Sequence, residues 1–160
     1  MAPKAILKTS NDLLICTACG TQFDVTGSSN KKVCRDCDDP RQFVSPTGQA
    51  FTTLSKIREA GHRNTFKKDE NNSPTSQFSI GERTMLLQTP NGNVLWDLIT
   101  LLDQETVDKP QINSLGGIAV IVISHPHYYT AYADWTLTFH CPIYTGAADF
   151  PWLERTSTQA

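Results

Sequence analysis

Four cysteines constrain this chain more than any other residues: Cys16 and Cys19, then fourteen intervening positions, then Cys34 and Cys37. Each C-x2-C pair lets one tight turn aim two thiolates at a single point. Two such turns facing each other supply the four soft ligands of a tetrahedral zinc ion. Gly20 follows Cys19, where the backbone must curl under the metal, and Gly27-Ser28-Ser29-Asn30 reads as a turn between short strands at 21–25 and 31–33. All four ligand positions are cysteine and none is left open, which marks a structural rather than a catalytic zinc. Two disulfides, a redox pair and four unrelated buried cysteines are the competing readings. The first needs an oxidising compartment, and the second is normally a single C-x2-C at the start of a helix.

The N-terminal stretch MAPKAILKTSND has a three-residue apolar patch and lacks the apolar core of a secretory signal. No apolar run approaches the roughly 20 residues needed to cross a bilayer, so no membrane association is expected. The expected location is the cytoplasm, with the nucleus as an alternative, and there thiols stay reduced. Residues 1–72 carry 11 Lys/Arg against 8 Asp/Glu, and residues 73–160 carry 3 against 8. Neither half has the dense basic cluster that would release many counterions from a phosphate backbone, which argues against a nucleic-acid partner.

The sequence divides into a zinc-ribbon-like segment at 1–45, a connecting region and linker at 46–77, an α/β segment at 78–155 and a tail at 156–160. The linker signal is the polar run Lys67 to Ser76 with Pro74 inside it. Beyond a short strand at Phe78-Ser79-Ile80, two apolar runs flank Pro90-Asn91-Gly92-Asn93, a β-hairpin signal. Residues 103–114 are helix-compatible up to Pro110. Ile118 to Ile123 is continuous and β-branched, as in a strand buried on both faces. Tyr132, Trp135 and Phe139 stand at helical spacing within 129–139. A strand at 142–145 and a last helix from Pro151 complete an alternating order, which predicts an α/β arrangement with at least one parallel pair.

The buried strand runs into Ser124-His125-Pro126-His127-Tyr128-Tyr129-Thr130. Pro126 favours an extended His125, and in extended chain residues i and i+2 project to the same side. His125 and His127 therefore converge on one metal, or else they are two polar residues ending a strand; spacing alone leaves both readings open. Of the remaining chemistry-bearing residues, His140 stands at a strand start, and Cys141 reads as a small buried apolar residue. Arg35, Asp36, Asp38, Asp39 and Arg41 read as a solvated surface around the second cysteine pair.

Val94-Leu95-Trp96-Asp97, a helix, and then a β-branched strand ending in Ser-His-Pro-His together resemble the first half of the metallo-β-lactamase-fold hydrolases. The phrases Ile80-Gly81-Glu82-Arg83 and Thr89-Pro90-Asn91-Gly92-Asn93 look like a subgroup of that family with an N-terminal four-cysteine zinc ribbon. The resemblance implies the first half of an αββα sandwich, a mixed sheet with helices preceded by the ribbon. It implies that Asp97 supports the metal loop and that His125 and His127 hold a catalytic metal for hydrolysis of a small-molecule ester, amide or thioester. Tyr129 and Thr130 stand where the family motif has Asp and His. The family's other ligands lie in a second half, so the catalytic site is expected to be incomplete within residues 1–160. An uncovered apolar sheet face, open to self-association or a protein partner, is expected with it. The alternative function is a zinc-stabilised protein-interaction module without catalysis.

Overall fold

The computed structural model describes residues 5–39, 44–66, 75–76, 81–108 and 116–156. Near the N-terminus, β1 (Leu13–Cys16) is the centre of a three-stranded sheet, between β2 (Gln22–Thr26) and β3 (Phe51–Thr53), both antiparallel to it. The expected strand at 21–25 is found as β2, but the rest of this sheet departs from the sequence expectation. Residues 31–33 form no strand, and β3, from the expected connecting region, takes the free side of β1 instead. The physical reason is burial: Leu14, Phe23 and half-buried Phe51 pack beside the cysteines, whereas Val33 is 54% exposed. Helix α1 (Leu54–Glu59) follows directly, its first turn capped by Thr53, whose Oγ1 accepts from the Lys56 N–H at 3.3 Å.

Within the polar linker expected from sequence, Thr75–Ser76 (β5) pairs antiparallel with Asn64–Thr65 (β4). Residues 67–74 lie outside the described residues, as does the expected strand at 78–80.

The second sheet has the order β6 (Met85–Leu87), β7 (Val94–Trp96), β8 (Val120–Val122), β9 (Ile143–Tyr144). The β6–β7 pair is the antiparallel hairpin that Asn91-Gly92 announces, and β8 lies parallel to both β7 and β9. The described part of the helix expected after β7 is α2 (Gln104–Asp108). Helix α3 (Tyr132–Phe139) runs between β8 and β9 and ends at His140, whose φ of 52° gives a left-handed cap. The last helix expected from sequence is a single 3-10 turn, Phe150–Trp152, with Pro151 inside it.

Register sorts the sheet's side chains into two faces. Leu86, Leu95, Ile121 and Ile143 align across the four strands and join the main core with Leu98, Ile99, Tyr129, Trp135 and Phe139. On the other face Met85, Trp96, Val122 and Tyr144 form one row, and Leu87, Val94 and Val120 a second. None of these seven belongs to a core cluster; Tyr144 is 63% exposed and the other six are half-buried.

The two sheets are tied by buried polar groups. Arg155 Nη1 lies 2.7 Å from Asp134 Oδ1 on α3 and also donates to Gln22 Oε1 on β2, while its Nη2 donates to Ser10 Oγ at 2.9 Å. The Gln22 N–H donates to the Thr130 carbonyl at 3.0 Å. The fold is therefore mixed α/β, with a cysteine-bearing sheet packed onto a parallel-containing one.

Candidate functional site

The four cysteine side chains converge, each 4% exposed or less. Cys16 Sγ lies 3.8 Å from Cys37 Sγ, and Cys19 Sγ lies 3.6 Å from Cys34 Sγ. A tetrahedral ion with metal–sulfur bonds of about 2.3 Å has sulfur–sulfur edges of about 3.8 Å, so the cluster has the size of one such site. No disulfide joins them. The neighbouring thiols hold Cys16 well below the usual thiol range, and Cys16 in turn holds Cys19 and Cys34 above it. A bound cation would allow the thiols to ionise together.

The local backbone explains the convergence. The Gly20 N–H donates to the Cys16 carbonyl at 2.9 Å, closing the first turn with Gly20 at φ 77°. A Cβ on Gly20 would run into Glu82 Oε1 and Thr100 Oγ1, so glycine is required twice over. The second pair brackets a 3-10 turn, Arg35–Cys37, with the Cys37 N–H donating to the Cys34 carbonyl at 3.2 Å. Asp36 inside that turn is 4% exposed, which corrects its reading as solvated surface. Its Oδ2 accepts from the Thr21 hydroxyl at 3.0 Å, its Oδ1 has no partner among the described residues, and burial pushes its pKa up to about 6.

At the end of β8 the two histidines are brought together. His125 is extended, as Pro126 favours, but His127 lies in a 3-10 turn, Pro126–Tyr128. The turn, and not strand alternation, sets their ring centroids 5.3 Å apart. Two imidazoles on one tetrahedral ion, with metal–nitrogen bonds of about 2.0 Å, have centroids about 5 Å apart. Asp97 terminates β7 at φ 59°, and its Oδ1 accepts from the Ser124 N–H at 2.7 Å. The Ser124 hydroxyl donates to Asp97 Oδ2 at 3.0 Å, so its oxygen accepts from His125 Nδ1–H at 3.1 Å. That chain leaves His125 Nε2 as the free imine nitrogen. His127 Nε2–H donates to the Asp36 carbonyl at 3.2 Å, which leaves Nδ1 free on that ring. Burial and neighbouring His127 lower the pKa of His125, favouring its neutral form.

Among the described residues, no third ligand joins the two histidines. Among the described residues, the four cysteines are the only group of three or more Cys, His, Asp or Glu ligand atoms within 4.8 Å of one another. Both Asp97 oxygens are engaged by Ser124. Tyr129 donates its hydroxyl to the Asp149 carbonyl at 2.8 Å, and Thr130 is buried at φ 41°. Neither takes over the place of the Asp or His that the motif would have there. His140 is exposed, and burial raises the Cys141 thiol to about 11.

Beside His127 lies a cavity of about 460 Å³, lined by Arg35, Asp36, Asp38, Asp39, Pro126 and Trp152 as well. Arg35 stacks over Trp152 at 4.8 Å and donates from Nη2 to the Pro151 carbonyl at 2.6 Å. The second cysteine turn thus forms a wall of the histidine site, a placement no local sequence signal carries because the partners are about 90 positions apart.

The chain is similar in sequence to a Bacillus subtilis protein. The chain is 43% identical to "Uncharacterized protein YmaE" over 148 residues. The match takes in 89% of the chain and 53% of YmaE, so the chain spans about half the length of that relative. No family model and no solved structure matches. Whatever YmaE does as a whole, the stretch it shares with this chain is long enough to include both the cysteine cluster and the histidine turn. Among the described residues no helix is long and apolar enough to cross a membrane.

Proposed function

We propose that this chain carries the metal-binding edge of a metallo-β-lactamase-type hydrolase, with zinc at Cys16, Cys19, Cys34 and Cys37 as its structural brace. The observation that carries the reading is the pair of imidazoles tied through one nitrogen each to Ser124 and Asp36, leaving His125 Nε2 and His127 Nδ1 without a partner among the described residues. Ligating histidines characteristically donate their other N–H to a carbonyl or to a carboxylate-linked group, which fixes tautomer and ring direction. Asp97 plays the supporting part that the resemblance implies for it.

A divalent ion at the two imidazoles would supply Lewis acidity and water acidified to near neutrality, the chemistry that hydrolyses an ester, amide or thioester. The chain's own contribution is to hold both rings aimed, beside a cavity of a size suited to a small molecule. The ligands still needed come, in this reading, from another polypeptide segment.

A second reading, a zinc-stabilised interaction module, is favoured by the missing third ligand and by the apolar rows of Met85, Trp96, Val122 and Tyr144 outside the core. Metal analysis separates the two. Wild type, Cys16→Ser and His125→Ala are dialysed against zinc and then against metal-free buffer. The hydrolase reading expects one equivalent lost in Cys16→Ser and a second, weaker one lost in His125→Ala. A single equivalent indifferent to His125→Ala leaves the interaction module.

A further inference from the structure

One hydrogen bond joins the two candidate metal sites. Asp36 lies between Cys34 and Cys37, and its carbonyl accepts from His127 Nε2–H across 91 positions of sequence. We propose that the Asp36 carbonyl is a positioning group for His127, so that the four-cysteine site and the aim of the histidine pair are energetically linked.

The direction of that carbonyl is fixed from three sides. The Cys37 N–H donates to the Cys34 carbonyl, closing the 3-10 turn. The Cys34 carbonyl also accepts from Gln49 Nε2 at 3.2 Å, and the Cys34 N–H donates to Gln49 Oε1. The Asp36 carboxylate accepts from the Thr21 hydroxyl at 3.0 Å, whose oxygen lies 3.2 Å from Cys19 Sγ. Each of these restraints runs through a cysteine of the cluster or a residue touching one. Metal bound at Cys34 and Cys37 would clamp both ends of the turn that carries the carbonyl.

The other partner is equally constrained. Pro126 begins the turn that carries His127, and His125 packs edge-on against Tyr128 with ring centroids 4.9 Å apart. What remains free at His127 is rotation of its ring about χ2, which exchanges Nδ1 with Cδ2 and Nε2 with Cε1. The hydrogen bond to Asp36 selects the orientation with Nδ1 turned away from the cysteine turn. Thermodynamic linkage is reciprocal, so a bond that the loaded cysteine turn offers to His127 must also help retain metal at the cysteines.

This inference rests on the two imidazoles forming a site, but the bond and its effect on the cysteines are measurable whether or not a second metal binds. Zinc-loaded wild type, His127→Ala and His127→Gln are challenged with a chromogenic chelator, and zinc affinity at the cysteines is read. Loss of one hydrogen bond predicts about fivefold weaker retention in His127→Ala. His127→Gln, which keeps an N–H donor, recovers part of the loss. Nitrogen-15 spectra of the wild type at pH 8 show His127 as the Nε2–H tautomer. Equal retention in His127→Ala and wild type, or an Nδ1–H tautomer at His127, overturns the proposal. If His127→Ala does not fold, the wild-type tautomer decides. Failure to bind a second metal would overturn the hydrolase reading and leave these results unchanged.

Discussion

Ser124 hands the charge of Asp97 on to the neighbouring histidine: its hydroxyl donates to Asp97 Oδ2 at 3.0 Å, and the same oxygen faces His125 Nδ1. The polarity of the chain depends on a carboxylate that can only accept. Asp97→Asn keeps a residue tolerant of φ 59° and an oxygen for the Ser124 N–H. Its amide, however, donates where Oδ2 accepted, so the Ser124 hydroxyl turns towards His125. The expected outcome is an intact fold in which His125 switches from the Nδ1–H to the Nε2–H tautomer, read by imidazole nitrogen-15 shifts. Metal affinity at the histidine pair should fall by about 10- to 100-fold, the usual scale for such a supporting group. An unchanged tautomer would show that Asp97 does not set it.

Gly20 meets two demands that a side chain cannot. Its φ of 77° costs an ordinary residue roughly 1–2 kcal/mol, and a Cβ would collide with Glu82 and Thr100. Gly48 has φ 92° but open space around the same position. Gly48→Ala should therefore lose about 1–2 kcal/mol in denaturant unfolding, and Gly20→Ala clearly more, with weakened zinc retention. Equal losses would mean that the Glu82 contact gives way.

Glu82 is fully buried, and desolvation raises its pKa from 4.5 to about 8 despite donation from the Thr100 N–H at 2.6 Å. The folded state keeps the proton while the unfolded state releases it above 4.5. Stability is therefore lost as pH rises between about 4.5 and 8 and is flat on either side for this group. Glu82→Gln is nearly isosteric and has no such slope. At pH 8 it should be more stable than wild type by up to a few kcal/mol, with the gap closing towards pH 5. Parallel denaturation curves for the two proteins across that range would contradict the assignment.

Arg155 and Asp134 form an ion pair with side chains 2% and 0% exposed. Removing one partner of a buried pair strands the other charge, so Arg155→Ala should cost about 3–5 kcal/mol. Thermal unfolding measures it. A loss below about 1 kcal/mol would place the pair among weak surface bridges.

Local patterns were legible where their partners are near in sequence. C-x2-C spacing located both cysteine turns, Asn91-Gly92 located the β6–β7 hairpin, and the β-branched run located β8. Groups whose roles depend on distant contacts were not. Asp36 and Arg155 look solvated in a sequence because charged residues usually are, yet each is buried by a partner over twenty or more positions away (His127, Asp134, Gln22). Phe51–Thr53 has no local strand signal strong enough to compete with its neighbours and becomes a strand by pairing with β1. The expected helix after Pro151 gives way because Arg155 is drawn into the interior, where its guanidinium reaches Ser10, Gln22 and Asp134.

That last contact bears on modularity. Arg155 fastens residues near the beginning of the described chain to residues near its end, through a group that water cannot replace without cost. The cysteine-bearing sheet is therefore not a detachable tag. Excising it would leave Asp134 and Arg155 without Gln22 and Ser10, and a protease that nicks between the two sheets should release no stable fragment.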